Sequence, residues 1–149
     1  MARQPLDPKA QALKLLARRE HSARELKRKL EARAVGKDEA AAAVADVTAA
    51  GWQSDERYAE MLVRTRVSRG YGPVRIEAEL RVAGVPSNKI REALDNAGVD
   101  WRAHATEVHA KKFGAAPRSS AERAKQYRYL QGRGFDSSQI SAALKGDAD

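Results

Sequence analysis

The residue types that most often perform chemistry in proteins are sparse in this chain of 149 residues. It has three histidines, His21, His104 and His109, and no cysteine. The last two histidines are five residues apart, so they lack the i, i+4 spacing of a helical zinc pair. The absence of thiols excludes disulfides, thiolate metal sites and iron–sulfur clusters. The sequence therefore predicts no metal site, no cofactor and no thiol nucleophile.

Two further patterns suggest chemistry but have simpler explanations. Asp55 and Glu56 form a carboxylate pair, yet acids at the start of a helix are favoured by the helix dipole. Residues 70–73 contain two glycines, but no Gly-Lys-Ser or Gly-Lys-Thr follows them as in a phosphate-binding loop. We expect a helix-stopping turn there. We predict that the protein has no catalytic residues and is not an enzyme, and a magnesium-dependent nuclease that uses Asp55 is a minor alternative.

The basic residues are more informative than these isolated groups. Lysine and arginine number 28 against 20 acidic residues, which gives a formal net charge of +8 and a pI near 10.0. The excess is concentrated in three windows, with +5 in residues 14–33, +3 in residues 64–83 and +4 in residues 114–133. A basic balance of this size is typical of proteins that bind polyanions, nucleic acid first among them. A simply solvated basic surface is the alternative, but it gives no reason for the windows to recur every fifty residues.

The recurring cations are our candidate binding residues. If successive units stack by similar rotations, these side chains form a stripe that makes salt-sensitive contacts with phosphates or an acidic protein surface. Arg75 has a structural alternative, an ion pair with Glu79 one helical turn later. The candidates are Arg18, Arg19, Lys27, Arg28, Arg64, Arg69, Arg75, Lys112, Lys125, Arg128 and Arg133.

Four aromatic residues lie among these cations. Tyr71, Tyr127, Tyr129 and Phe135 are placed where nucleobases could stack on them. Aromatic residues at such positions are more often part of the core, so both interpretations stay open.

The elements that must position the cations follow the same period of fifty residues. A shift by fifty superimposes Leu30 on Leu80 and Leu130, and Gly84 on Gly134. Within each unit the apolar spacing is helical, at i to i+3 or i+4, and strand alternation is absent. The predicted helices cover residues 8–20, 22–33, 38–50, 54–69, 73–83, 87–97, 101–113, 120–132 and 137–145.

The residues at the predicted starts of these helices support the helix boundaries. Asp7-Pro8 and Gly72-Pro73 place proline at the first helical position, and Ser54 is a candidate N-cap. The segments 22–25 and 119–122 each read Ser-x-x-Glu and predict capping boxes.

A single unit of fifty residues buries too little of its surface to be comfortably stable, so the units should stack. We predict an all-α protein, an elongated curved array of three tandem three-helix repeats at 1–50, 51–100 and 101–149. A compact bundle of nine helices is the alternative. The predicted core includes Leu26, Leu30, Ile76, Leu80, Leu130 and Phe135.

The longest apolar run, residues 40–45, is far shorter than the roughly 18 residues of a membrane span. The first residues also lack the apolar stretch of a signal peptide. We expect a cytoplasmic monomer that does not contact membranes.

A set of short motifs runs in fixed order through nearly the whole chain. Its members are segment 15–26 (LLARREHSAREL), Gly51-Trp52, segment 70–76 (GYGPVRI), Gly84-Val85, Trp101, Lys112-Phe113-Gly114 and Arg128-Tyr129-Leu130. In order and spacing they resemble the RecX family of recombination regulators. Ala34 departs from the glycine that the family often has after its second helix.

The resemblance implies a non-enzymatic modulator of the RecA recombinase that acts in homologous recombination, DNA repair and the SOS response. Such a protein is a bent row of three-helix repeats that lies in the groove of the RecA filament on single-stranded DNA. There it lowers ATP hydrolysis and strand exchange, and favours disassembly or blocks growth. Its own contact with single-stranded DNA would be weak and salt-sensitive.

A stand-alone DNA-binding protein of helix-turn-helix type is the alternative, since pairs of short helices with glycine turns also occur there. That protein would show a strong sequence preference and usually form a dimer.

Overall fold

The computed structural model describes residues 7–145, and within that range the chain forms nine helices and no strand. This confirms the predicted all-α class, and the helix boundaries lie within two residues of the predicted ones. The helices are α1 (Pro8–Arg18), α2 (Ala23–Ala32), α3 (Lys37–Ala49), α4 (Asp55–Ser68), α5 (Pro73–Val82), α6 (Ser87–Asn96), α7 (Trp101–Phe113), α8 (Ser120–Gly132) and α9 (Ser137–Leu144).

The helices begin where the polar residues before them can satisfy free backbone N–H groups. The Asp7 side chain accepts from the N–H groups of Lys9 and Ala10, with Pro8 in the first turn. The Ser54 hydroxyl accepts from the N–H of Arg57. The predicted N-caps of α1 and α4 are therefore confirmed.

In the two predicted capping boxes the serine caps its helix, but the prediction that the glutamate bonds back to the N–H of that serine is wrong. Ser22 Oγ accepts from the Glu25 N–H at 3.1 Å, but the Glu25 carboxylate turns to the Arg19 guanidinium instead of back to the cap. The Ser119 hydroxyl likewise accepts from the Glu122 N–H. The Glu122 carboxylate accepts from the Arg118 N–H at 2.7 Å instead of from the N–H of Ser119. A complete box forms at α9, a site that we did not predict, where Asp136 and Gln139 bond each other reciprocally.

Each trio of consecutive helices has its own hydrophobic core. Leu26 and Leu30 are fully buried in a cluster of α1–α3, and Ile76 and Leu80 in a cluster of α4–α6. The third cluster, in α7–α9, contains the fully buried Leu130 and also Phe135. All six predicted core residues are thus confirmed, and the main helix packing lies within the trios.

The three separate cores make a tandem array of three-helix units the observed architecture. The boundaries of the units at residues 50 and 100 stay a prediction.

Successive units meet through hydrogen bonds at one repeated position, with a side-chain donor in the first case and a backbone donor in the second. The Ser22 hydroxyl, just before α2, donates to the Ala83 carbonyl at 2.7 Å. Fifty residues later the Gly72 N–H, just before α5, donates to the Arg133 carbonyl at 2.8 Å. In both places the start of a unit's second helix rests on the turn that follows the second helix of the next unit.

This contact explains why two turns require glycine and the third does not. A Cβ on Gly84 would lie 2.6 Å from Arg24 Nε, and a Cβ on Gly134 would lie 2.8 Å from the backbone nitrogen of Arg75. Ala34 occupies the equivalent turn of the first unit with a positive φ of 65°. No unit precedes the first within the described chain, so no neighbour excludes the Ala34 methyl group, although the conformation still strains an alanine.

Candidate partner-binding surface

One concave region takes its walls from all three units. We call it the central groove; it encloses about 820 Å³ between α2, the α4–α5 pair and the C-terminal end of α8. Arg28 and Arg75 are the two sequence-predicted cations that line it. Arg24, Lys29 and Arg66 line it as well, and sequence analysis had not singled them out.

The two acids on the central groove are already paired. Glu25 accepts from Arg19 through two hydrogen bonds, at 3.1 and 2.8 Å. Glu79 accepts from Arg66 Nε at 2.8 Å, so the alternative pairing of Glu79 with Arg75 is wrong. Burial raises the pKa of the Glu25 carboxyl group, but the hydrogen bond from Arg19 and the surrounding positive charges together outweigh it, so the pKa is lowered. Both acids therefore compensate cations other than Arg24, Arg28 and Arg75.

Arg75 and Arg133 both stack on Tyr71. Each guanidinium carbon lies 4.0 Å from the centre of the Tyr71 ring. Arg133 Nε also donates to the Gly70 carbonyl at 3.3 Å, and its Nη2 donates to the Arg69 carbonyl. Arg133 thus joins the second and third units, and Tyr71 is covered by cations at this junction.

A second cationic cleft, of about 490 Å³, lies between α4 and α7–α8. Three predicted residues meet there, Arg69, Lys112 and Arg133, together with Lys111 and a single acid, Glu107. Lys112 Nζ lies 5.2 Å from the centre of the Tyr129 ring. We call this region the lysine cleft.

A third cationic region lies at the C-terminal ends of α1 and α2. Arg18 and Arg19 line this cleft of about 510 Å³ together with His21, Lys29 and Arg33. In the part of the chain that the structure describes, no acid lines it. The ends of the two helix dipoles favour cations at such a place.

The buried His21 connects this third cleft to the core. Its Nδ1 lies 3.0 Å from the Arg19 carbonyl and its Nε2 lies 2.9 Å from Lys29 Nζ. Burial lowers the pKa of His21, and the positive charges of Arg19 and Lys29 lower it further. The neutral ring therefore donates from Nδ1 to the carbonyl and accepts at Nε2 from the ammonium group.

The remaining predicted cations are placed separately. Lys27 pairs with Glu31 at 3.7 Å. Arg64 lines a cleft of about 530 Å³ that also contains Glu60, and Lys125 lines one of about 320 Å³ that also contains Glu122. Arg128 is exposed on α8. Nine of the eleven candidates thus line five different clefts, whereas Lys27 and Arg128 line none of these. The action of the eleven as one stripe stays a prediction.

The aromatic residues among the cations divide between core and junction. Phe135 is buried in the third hydrophobic cluster, against which Tyr127 and Tyr129 pack. The interpretation as core residues is therefore confirmed for these three.

The isolated groups considered first have structural partners. Asp55 Oδ1 accepts from the Ala23 N–H at 2.9 Å and from Gln53 Nε2 at 3.0 Å, so it caps α2 of the preceding unit. His104 Nε2 lies 3.1 Å from the Tyr71 carbonyl, and His109 Nε2 lies 2.7 Å from Gln126 Oε1. Among residues 7–145, no three histidine or acidic side chains lie close enough together to hold a metal ion.

Sequence analysis missed the apolar part of the central groove. Val74 and Val82 are 51% and 70% exposed, and both line it with the exposed Ala78 between them. The signal was present in the i, i+4, i+8 spacing of these three residues. It was hidden because Ile76 and Leu80, two residues out of phase, already form a complete core face for α5.

The helices are also too short or too polar for a bilayer. Over the described residues, none has the length and apolar character that a membrane span requires.

Three family models match this chain in sequence order. They describe the first three-helix domain of RecX at residues 9–46, the second at residues 54–94 and the third at residues 100–144. Together they cover most of the chain.

Similar proteins and structures carry the same name. Regulatory protein RecX of Stenotrophomonas maltophilia (strain R551-3) is 46% identical over 143 residues, which are 95% of this chain and 88% of the relative. Regulatory protein RecX of Chromohalobacter salexigens is 42% identical over 144 residues, 97% of this chain and 95% of the relative. The crystal structure of RecX from Lactobacillus salivarius superimposes with a TM-score of 0.73 at 22% identity, over 93% of this chain and 92% of that one.

Proposed function

This chain belongs to the RecX family of regulatory proteins, and from that premise we propose that it is a non-enzymatic regulator of a RecA-type recombinase. It binds the recombinase filament on single-stranded DNA, lowers ATP hydrolysis and strand exchange, and promotes disassembly or blocks growth. It acts as a monomer in homologous recombination and DNA repair.

The observation that most supports this function is the central groove, because its lining residues come from all three units. A filament presents equivalent surfaces at regular intervals along a helix. A row of similar units with cations in successive clefts is suited to contact several of those surfaces at once, which adds affinity through multivalency.

We assign the contacts to the eleven cations named above, with Arg28 and Arg75 in the central groove and Arg69 and Lys112 in the lysine cleft. Their action is electrostatic and therefore salt-sensitive. Arg19 and Arg133 also hold the surface in place, because each is engaged by carboxylate or carbonyl oxygens of this chain.

The decisive experiment measures the DNA-dependent ATPase of a RecA-type recombinase on poly(dT) and the filament length by electron microscopy. Adding this protein at substoichiometric amounts should lower the ATPase and shorten the filaments. Unchanged ATPase and unchanged length would refute the proposed function.

The helix-turn-helix alternative predicts a different result on duplex DNA. A gene regulator discriminates its site from random sequence by several kcal/mol. The proposed modulator should bind random duplexes and single strands weakly, with no preferred sequence, in a fluorescence anisotropy titration.

A further inference from the structure

The apolar floor of the central groove is a solvent-exposed second face of α5. Val74, Ala78 and Val82 recur at i, i+4 and i+8, so they form one stripe along the helix. Ile76 and Leu80, the core residues of α5, are two positions out of phase and hence lie about 200° round the helix. An exposed aliphatic stripe in a concave surface is typical of a protein-binding groove.

The rim of the central groove is positively charged. Arg24 and Arg28 lie one turn apart on α2, and Arg75 lies on α5. The acids on the groove, Glu25 and Glu79, form their ion pairs with Arg19 and Arg66. Arg24, Arg28 and Arg75 therefore have no carboxylate within 4 Å among the described residues. The guanidinium of Arg75 stacks on Tyr71 through its face, and all three charges remain available to carboxylates of a partner.

We propose that the central groove binds an acidic amphipathic segment of the recombinase, with its aliphatic side chains on Val74, Ala78 and Val82 and its carboxylates on Arg24, Arg28 and Arg75. This inference rests on the proposed function, since it names which component of the filament occupies this site. The stripe from Val74 to Val82 is about 12 Å long, which matches a little more than two turns of a bound helix.

The floor favours a protein segment over DNA. Single-stranded nucleic acid is held by flat aromatic platforms on which bases stack. The three floor residues on α5 are aliphatic, and Tyr58, the aromatic residue that lines the groove, is 8% exposed. The lysine cleft is more polar and offers ammonium groups without an aliphatic stripe, so phosphate contacts belong there.

The test uses the double variant Val74→Ser, Val82→Ser in the full chain. Both side chains are exposed, so helical circular dichroism should match that of the unsubstituted protein. Two readouts are needed: the protein concentration that half-inhibits recombinase ATPase on poly(dT), and the Kd for fluorescein-labelled oligo(dT) by anisotropy. We expect half-inhibition to need roughly tenfold more protein, because two apolar anchors are lost. The oligo(dT) Kd should stay within about twofold, because anchors that bind protein add nothing to DNA affinity.

Trp52→Ser is the matched control. Trp52 is 62% exposed and does not line the central groove, so its loss should change neither readout. A second comparison, Arg69→Glu with Lys112→Glu in the lysine cleft, should weaken oligo(dT) binding.

Three outcomes would overturn the assignment. If the valine variant inhibits as well as the unsubstituted protein, the groove is not the protein-binding site. If inhibition and oligo(dT) binding fall together, the floor contacts nucleic acid instead. If the unsubstituted protein itself leaves the ATPase unchanged, the proposed function fails first, and the groove assignment fails with it.

Discussion

Ala34 holds a backbone conformation that the second and third units give to glycine. Its φ is 65°, whereas Gly84 and Gly134 have values of 83° and 97°. The left-handed region costs an alanine roughly 1 kcal/mol or more, and a glycine pays no such steric cost. At this position the sequence therefore retains strain that a single substitution can remove.

Ala34→Gly should raise the free energy of unfolding by a few tenths to about 1 kcal/mol, because the strain exceeds the added chain entropy of glycine. Urea denaturation followed by circular dichroism measures this. Ala32→Gly, at the last residue of α2, is the matched control and should lower stability, since glycine weakens helices. Equal losses in the two variants would mean that Ala34 is not strained.

His21 makes stability depend on pH in the weakly acidic range. Burial keeps its pKa below the ordinary value, so the folded chain resists a proton that the unfolded chain accepts near pH 6.5. The unfolded state then binds more protons, and the free energy of unfolding falls as pH drops through this range. The charges of Arg19 and Lys29 act in the same direction, whereas the hydrogen bond to the Arg19 carbonyl and the charge of Glu25 oppose them.

His21→Gln should flatten this dependence between pH 7.5 and 5.5. The variant keeps a hydrogen-bond donor and an acceptor but has no titrating ring. Because the glutamine does not reproduce the geometry of the imidazole, the variant should be less stable at pH 7.5. It should also lose less free energy of unfolding when the pH is lowered. Thermal melts at several pH values check the slope. A slope identical to that of the unsubstituted protein would place the responsible proton on another group.

At the scale of the helices, the junction between units depends on side chains that serve a neighbouring helix. Asp55 starts α4 but accepts from the Ala23 N–H at the start of α2, 32 residues earlier. Gln53 extends the link by donating to the His21 carbonyl at 3.2 Å. The same Asp55 carboxylate is the one that a nuclease would require for metal binding, and the junction already uses it.

Asp55→Ala should cost about 1–2 kcal/mol of stability, because the Ala23 N–H loses its acceptor at a partly buried site. Glu56→Ala, at the next and exposed residue, should cost only a few tenths of a kcal/mol through the helix dipole. Differential scanning calorimetry compares the two variants. If both lose the same amount, the junction does not depend on Asp55.

The helices were predictable because local signals determine them. Apolar spacing, prolines in the first turn and serine caps act within a few residues, so α7 and α8 were predicted at their observed boundaries. The junction contacts were not predictable, because they join residues about thirty to sixty positions apart. Trp52 and Trp101 illustrate this limit: they occupy near-equivalent positions, yet Trp101 packs against the second core and Trp52 is exposed.

For the binding surface, sequence alone identified charge but not shape. The period of fifty residues singled out Arg28 and Arg75, which meet in the central groove. It also singled out Arg19 and Arg133, whose guanidinium groups are engaged within the chain. Whether a cation is engaged or available depends on the tertiary neighbours, so repetition in sequence could not distinguish the two cases.

At the scale of the whole molecule, three small cores in a row predict an extended particle. The radius of gyration should exceed the roughly 15 Å of a compact chain of this length. Small-angle X-ray scattering at several protein concentrations measures it. A value at 15 Å with no concentration dependence would indicate that the units close into a compact bundle in solution.

The proposed function requires cations of all three units to act together on the recombinase filament. A triple variant, Arg28→Glu, Arg64→Glu and Arg128→Glu, reverses one exposed charge in each unit. The matched control reverses one exposed charge per unit in or next to the third helix, with Lys37→Glu, Arg91→Glu and Lys145→Glu. Both variants alter the net charge equally, so they separate position from total charge.

The most direct measurement is the ATPase of the recombinase on poly(dT) with each triple variant at the concentration where the unsubstituted protein inhibits fully. We expect inhibition to disappear with the first variant and to persist with the control, while both keep the helical circular dichroism signal. Full inhibition by the first variant, or equal loss in both, would contradict the account.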